Sequence, residues 1–266
     1  MRAVRWVGVA AALALGSAAC GVNLLQQGAS PATTTAPATT APPPSTTVAP
    51  EPPLAVPEAG LGEGDSGEVV AALERRLDAL HYDVGAVDDL FDADTGQGVT
   101  AFQKVNDLPR TGRATPDVAA RLTTAQPPAA IVGAGGATRV EVDLPHQVLF
   151  LYQGGNLDRI LSISTGSGED YCSTEHCGTA LTPPGSYRVH YQVDGWDSGP
   201  LGDLYNPVYF DPEIGLAIHG AEEVPADPAS HGCVRISLAA AEWFPDKAPK
   251  GTPVYISDGQ TALQPV

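Results

Sequence analysis

Hydrophobic spacing along the chain changes character several times, and each change predicts a different kind of element. An unbroken apolar run comes first, from Val7 to Leu15. From Ser30 to Pro53 the chain is almost wholly Ala, Pro, Thr and Ser, with one charge and no aromatic residue. Such a stretch cannot bury a core and favours an extended, semi-rigid tether. Between Leu61 and Leu122 apolar residues recur at helical spacing: Val69, Val70, Leu73, Leu77 and Leu80, then Val99, Phe102 and Val105, then Val118 and Leu122. This predicts three short helices, capped at Asp65 or Ser66, at Thr95 and at Thr115, with Pro116 in the first turn of the third.

After the linker "TTAQPPAAIVGAGGA" the period drops to two. "RVEVDL" and "QVLFLYQ" read as a hairpin turning at Pro145 and His146, and "RILSIST", "GSYRVHYQV", "NPVYF", "GLAIH" and "PVYIS" as further strands. "SLAAAEW" is the one helix expected here, with Ser237 as its N-cap. The fold class is therefore a small all-α three-helix domain followed by a mostly β domain, a sandwich or partly closed barrel with one short helix. The expected boundaries are 1–19 leader, 20–59 linker, 60–124 helical domain, 125–137 linker, 138–258 β domain and 259–266 tail.

The leader changes what the cysteines mean. Arg2 and Arg5 precede the apolar run and small residues lead to Cys20, the pattern of an export signal. The run is shorter than the roughly 20 residues that span a bilayer. "SAAC" resembles the lipobox of bacterial lipoproteins, which implies a lipidated Cys20 anchoring the mature chain to the membrane; plain secretion is the alternative. Either route places the chain outside the cytoplasm, facing the cell envelope, where disulfides persist. Of the four cysteines, Cys172 and Cys177 in "CSTEHC" are close enough to bridge, and Cys233 is left as an odd thiol. The formal charge is -17. So acidic a surface excludes nucleic acid as a partner and offers no polybasic patch for anionic lipid.

The region that carries chemistry is "GLAIHGAEEVPADPASHGCVRIS", Gly215 to Ser237. His219 lies at a strand end, a Pro- and Ala-rich loop follows, and the chain returns through Ser230, His231, Gly232 and Cys233. A thiol is mostly protonated at neutral pH and needs a neighbouring imidazole to take its proton and return it to a leaving amine. Three readings stay open at this point: a buried structural cysteine, a zinc site of His219, His231 and Cys233, and Cys–His nucleophilic catalysis. His176 gives "CSTEHC" a zinc alternative to its disulfide.

Two stretches resemble known families. "GDSGEVVAALERRLDALHY", "VDDLFDADTGQGVTAFQ" and "GRATPDVAARL" resemble the small peptidoglycan-binding domain, departing from it with His81 and Asp89 where Gly is common. His219, then "SHGC" and Arg235, with "TPPGSYRV" and "VDLPHQVLFLYQGG" upstream, resemble the L,D-transpeptidase catalytic domain. The second resemblance implies Cys233 as nucleophile, His219 as general base and the Gly220 carbonyl as the group that orients it. It further implies His231 as a substrate-positioning imidazole, backbone N–H groups of Gly232 and Cys233 as oxyanion donors, and Ser230 and Arg235 at the substrate. Only eleven residues separate His219 from His231. The lid over the site is therefore expected from "GWDSGPLGDLYNPVYF", with Tyr205 and Tyr209 as candidate substrate contacts. The implied partners are peptidoglycan stem peptides and glycan strands, with no metal or other cofactor, and carbapenems are expected to acylate Cys233. Hydrolysis through the same cysteine and non-catalytic wall binding are the alternatives.

Overall fold

The computed structural model describes residues 52–172 and 177–266. The leader, Cys20, most of the 20–59 linker and His176 lie outside the described residues. Helix α1 spans Glu68–Ala79, α2 Ala93–Val105 and α3 Pro116–Leu122. Val70, Leu73 and Leu77 bury one face of α1 completely. Two of the expected caps are displaced. Gly67, at φ 116°, starts α1 without a side-chain cap, while the Asp65 carboxylate accepts from Gly62 N. Asp92 caps α2 by accepting from Thr95 N, and Thr95 sits inside the helix, its hydroxyl donating to the buried Glu74 carboxylate at 2.8 Å. Thr115 caps α3 as expected, ahead of Pro116. His81 ends the first helical segment at φ 71° while Tyr82 N donates to Leu77 O. That is the left-handed turn in which glycine is usual, here imposed on a residue with a side chain.

The β region forms two five-stranded sheets. The first orders β3 (Asn156–Ser162), β2 (Val148–Gln153), β1 (Arg139–Asp143), β12 (Pro253–Ser257) and β6 (Gly185–Arg188). The second orders β11 (Val234–Ser237), β10 (Leu216–Ala221), β9 (Gly202–Asp211) and β7 (Tyr191–Gln192), with β8 (Trp196–Gly199) also on β9. A separate hairpin joins β4 (Asp170–Cys172) to β5 (Cys177–Thr179). "GSYRVHYQV", expected as one strand, breaks at Val189 and His190 and carries the chain from the first sheet into the second. Helix α4 (Leu238–Lys247) starts at Ser237, whose hydroxyl accepts from Ala240 N, and runs past the expected Trp243 to include Pro245.

Two apolar cores result. Val140, Val142, Leu149, Leu151, Ile218, Val234, Ile236 and Phe244 fill the space between the sheets and α4. Val148, Phe150, Tyr152 and Ile160 point the other way and share a core with Leu73, Leu77 and Phe102 of the helices. β2 is buried on both faces, which is why "VLFLY" is continuously apolar and not alternating. The helical segment therefore does not hang on a linker; α2 packs directly on β3 and β2.

Candidate active site

β10 and β11 run parallel, with Ile218 opposite Val234 and His219 opposite Arg235. Ile218, Val234 and Ile236 are drawn into the sandwich core, so the alternating positions His219, Cys233 and Arg235 emerge on the opposite face. All three line a cleft of about 1410 Å³. Two glycines make this approach possible. A Cβ at Gly220 would lie 2.7 Å from the Ala241 Cβ and 3.2 Å from the Tyr205 ring, so only glycine lets α4 seat against β10. Gly232 has φ 139°, and a Cβ there would meet the Leu181 carbonyl oxygen at 2.7 Å.

His219 is buried, and its Nδ1–H donates to the Gly220 carbonyl at 2.8 Å. That bond selects the tautomer whose Nε2 is the unprotonated nitrogen. Burial pulls the imidazole down to about 4, against the opposing effect of the Gly220 bond, and Arg235 lowers it further. Burial also pushes the Cys233 thiol up, only partly offset by the Ala217 backbone and Arg235. Thiol and imidazole therefore both rest neutral in the same cleft, where the Cys233 thiol donates to the Gly215 carbonyl at 3.6 Å. Cys233 is the free cysteine among the described residues, because Cys172 and Cys177 are bridged.

The other expected residues divide. His231 is exposed at the cleft, its ring packed edge-on against Tyr171 at 4.9 Å between centroids. Tyr171 precedes Cys172, so the bridged β4–β5 hairpin borders the cleft. Tyr209 lines the cleft and donates to Asp197 at 2.8 Å. Tyr205 does not line it: its hydroxyl donates to the Glu242 carboxylate on α4 and its ring packs on Trp196. Ser230 also lines the cleft, and its hydroxyl is engaged by the loop itself. The Ser230 hydroxyl is 3.0 Å from Gly232 N, from which it accepts, and 2.6 Å from the Cys233 carbonyl, to which it donates. Ser230 thus braces the loop from the cleft wall, its hydroxyl hydrogen directed at Cys233 O. The Gly232 N–H, expected as an oxyanion donor, is committed to Ser230.

Among the described residues, no three His, Cys, Asp or Glu side chains converge as a metal cage. Asp203, Glu213, Glu222 and Glu223 line the same cleft as Arg235 and give it an acidic character. Thr182 opens "TPPGSYRV", a stretch marked in the sequence by its resemblance but with no role attached to this hydroxyl. Its buried hydroxyl donates to Gly232 O at 2.5 Å and accepts from Gly166 N at 3.0 Å. Thr182→Val keeps the shape and strands both groups, so we expect it to cost about 1–3 kcal/mol of stability. Alkylation of Cys233 by iodoacetamide should slow with it; denaturant melts and alkylation rates unchanged from wild type would remove Thr182 from the site's framework.

Residues 137–256 match the L,D-transpeptidase catalytic domain and residues 66–122 a peptidoglycan-binding domain. The chain is 37% identical to a crystal structure of an L,D-transpeptidase (residues 123–326) from Xylanimonas cellulosilytica, with TM-score 0.69, over 78% of this chain and 100% of that one. An L,D-transpeptidase structure from Stackebrandtia nassauensis is 22% identical, with TM-score 0.44, over 76% of this chain and 97% of that one. One from Mycobacterium tuberculosis H37Rv is 20% identical, with TM-score 0.37, over 46% and 58%. No curated protein sequence matches the chain.

Proposed function

The chain belongs to the L,D-transpeptidase family, and from that premise we propose that it joins peptidoglycan stem peptides through an acyl-enzyme on Cys233. The observation that carries the proposal is the Nδ1–H of His219 held on the Gly220 carbonyl, which leaves Nε2 as a base for the thiol that shares its cleft. In the first half-reaction Cys233 attacks the carbonyl of the third-position diaminopimelate of a tetrapeptide stem. The thiol proton passes to His219 Nε2, and the Cys233 N–H faces the developing oxyanion. Collapse breaks the peptide bond and expels D-Ala, whose amine takes the proton from His219. In the second half-reaction the side-chain amine of another stem attacks the thioester, its proton goes to His219, and the thiolate leaves and is reprotonated. The product joins two third-position residues, and the energy of the broken peptide bond is conserved in the thioester, so no cofactor enters.

The acidic character of the cleft supports an amine as acceptor, since a protonated amine is drawn to Asp203, Glu213, Glu222 and Glu223 before it loses its proton. Arg235 suits a stem carboxylate, and among the described residues no hydrogen bond ties down its guanidinium. His231 and Tyr209 position the stem from the cleft walls. The helical segment, 60–124 in our division, holds glycan strands or stem peptides beside the 138–258 catalytic domain. With Cys20 lipidated, the Pro-rich linker would tether both at the cell envelope; no helix among the described residues is long and apolar enough to cross a membrane.

The test is incubation of the purified chain with disaccharide-tetrapeptide, followed by mass spectrometry. Released D-Ala with a cross-linked dimer and a transient adduct on Cys233 is the expected result. D-Ala with monomeric tripeptide alone would replace transfer with hydrolysis, and neither product would overturn an enzymatic role.

A further inference from the structure

The helical segment reaches into the frame of the candidate active site. Lys104, on α2, is buried to 1% exposure. Its ammonium donates to Gln147 O at 3.1 Å, Ser162 Oγ at 2.9 Å and Ile163 O at 2.8 Å. All three acceptors belong to the β domain. Gln147 itself stands at φ 58°, a left-handed turn at the β1–β2 corner. Its side-chain amide donates to Leu144 O and Thr165 Oγ1 and accepts from Thr165 N, each within 2.9 Å. Thr165 O in turn accepts from Ala229 N and Ser230 N. Next to it Ser164 exchanges both backbone bonds with Arg235, and its hydroxyl donates to Asp227 O. Ser230 then holds Gly232 N and Cys233 O. From Lys104 to Cys233 the chain of contacts is continuous, and Gln147, Ser162, Ser164, Thr165 and Ser230 are all buried.

A second grip comes from the same part of the molecule. Arg110 donates to Ala226 O, Asp227 Oδ1 and Pro145 O, and Gln97 on α2 donates to Val224 O at 3.2 Å. The loop between His219 and Cys233 is thus held by Gln97 on α2 and by Arg110 in the segment that follows it.

We propose that Lys104 is a positioning residue for Cys233: its ammonium fixes the Gln147 corner and the Ser162–Thr165 segment from which the Ser230–Cys233 loop hangs, while Arg110 grips the outer side of that loop. The proposal rests on the reading of Cys233 as nucleophile. Burial, with Arg110 adding to it and Asp227 opposing, pulls the Lys104 ammonium down to about 7, the cost of placing a cation where its hydrogen-bond partners are all neutral. Packing alone would be served as well by an apolar side chain of similar volume. What an apolar side chain cannot do is bind three acceptors that belong to two separate segments.

The experiment compares full-length Lys104→Met, Arg110→Ala and Val70→Ala, the last a core truncation in α1 that touches none of these bonds. Each is measured by thermal melt, by kcat and KM on disaccharide-tetrapeptide, and by the alkylation rate of Cys233 with iodoacetamide. Lys104→Met should lower kcat and the alkylation rate by about 10- to 100-fold, the scale on which small misplacements of reacting groups act, with KM little changed. Arg110→Ala should lower both by a smaller factor. Val70→Ala should lower the melting temperature while its folded protein alkylates at the wild-type rate.

Folded Lys104→Met with wild-type kcat and alkylation would overturn the proposal, as would an equal loss in Val70→Ala. If Lys104→Met does not fold, a wild-type alkylation rate in Arg110→Ala overturns it instead. Alkylation needs no stem peptide, so a wild-type chain that turns over no stem refutes the proposed reaction and still leaves the Lys104 comparison readable.

Discussion

Cys233→Ala is expected to abolish release of D-Ala from tetrapeptide stems and the covalent adduct together, with a loss in kcat on the order of 10⁵–10⁶. The reason is the absence of a substitute. Cys172 and Cys177 are tied in a disulfide, so among the described residues no second thiol can take over. Cys233→Ser is expected to be almost as inactive, although it restores a hydroxyl of similar size. An imidazole held down at about 4 is a weak base, and an alcohol, several orders of magnitude less acidic than a thiol, yields its proton to such a base far less readily. Intact-mass spectrometry after incubation with stem checks both variants. A full adduct on the serine variant would mean that His219 is a stronger base than its burial implies, and undiminished turnover by the alanine variant would place the nucleophile elsewhere.

The parts of this site that were legible in the sequence are those written in local patterns. "GLAIH" shows a strand because its apolar residues sit between Gly215 and Gly220, and "SHGC" shows its chemistry because His, Gly and Cys are adjacent. What lay hidden is held across distance. Thr182 reaches Gly232 over a separation of 50 residues and Lys104 reaches Ile163 over 59, so neither contact leaves a periodic trace. Lys104 reads as an ordinary exposed lysine between Phe102 and Val105. Its setting carried a signal nonetheless: "TGQGVTAF" has no charge, and a helix that is small or apolar all round is buried all round, so a lysine closing it must find partners. The period of two read in "QVLFLYQ" was the wrong one: "VLFLY" is apolar throughout, as cover on both faces of the strand requires. Ser230 and Gly232 differ again. Their place in the motif was legible, and only the structure reveals the hydrogen bond from the Gly232 N–H to the Ser230 hydroxyl.

His219→Asn should lower kcat by about 10²–10⁴, the range that a positioned general base supplies, while KM changes little. The pH dependence separates this from a packing defect. With the folded imidazole at about 4, wild-type activity should persist at pH 5 to 6, where a histidine at its ordinary value of 6.5 would be largely protonated, and should fall only near pH 4. The variant should lose that acid limb along with the rate. Stability has to follow with a fixed sign. Between 4 and 6.5 the unfolded chain binds a proton at this position that the folded chain refuses, so stability contributed by His219 is present above 6.5 and is lost as pH falls toward 4. The full loss amounts to about 3 kcal/mol. Denaturant melts of wild type and His219→Asn across pH 4 to 7 should therefore converge at the acid end. A wild-type acid limb near 6.5, with parallel melting curves, would show that the imidazole is solvated and would remove the neutral thiol–imidazole pair from the mechanism.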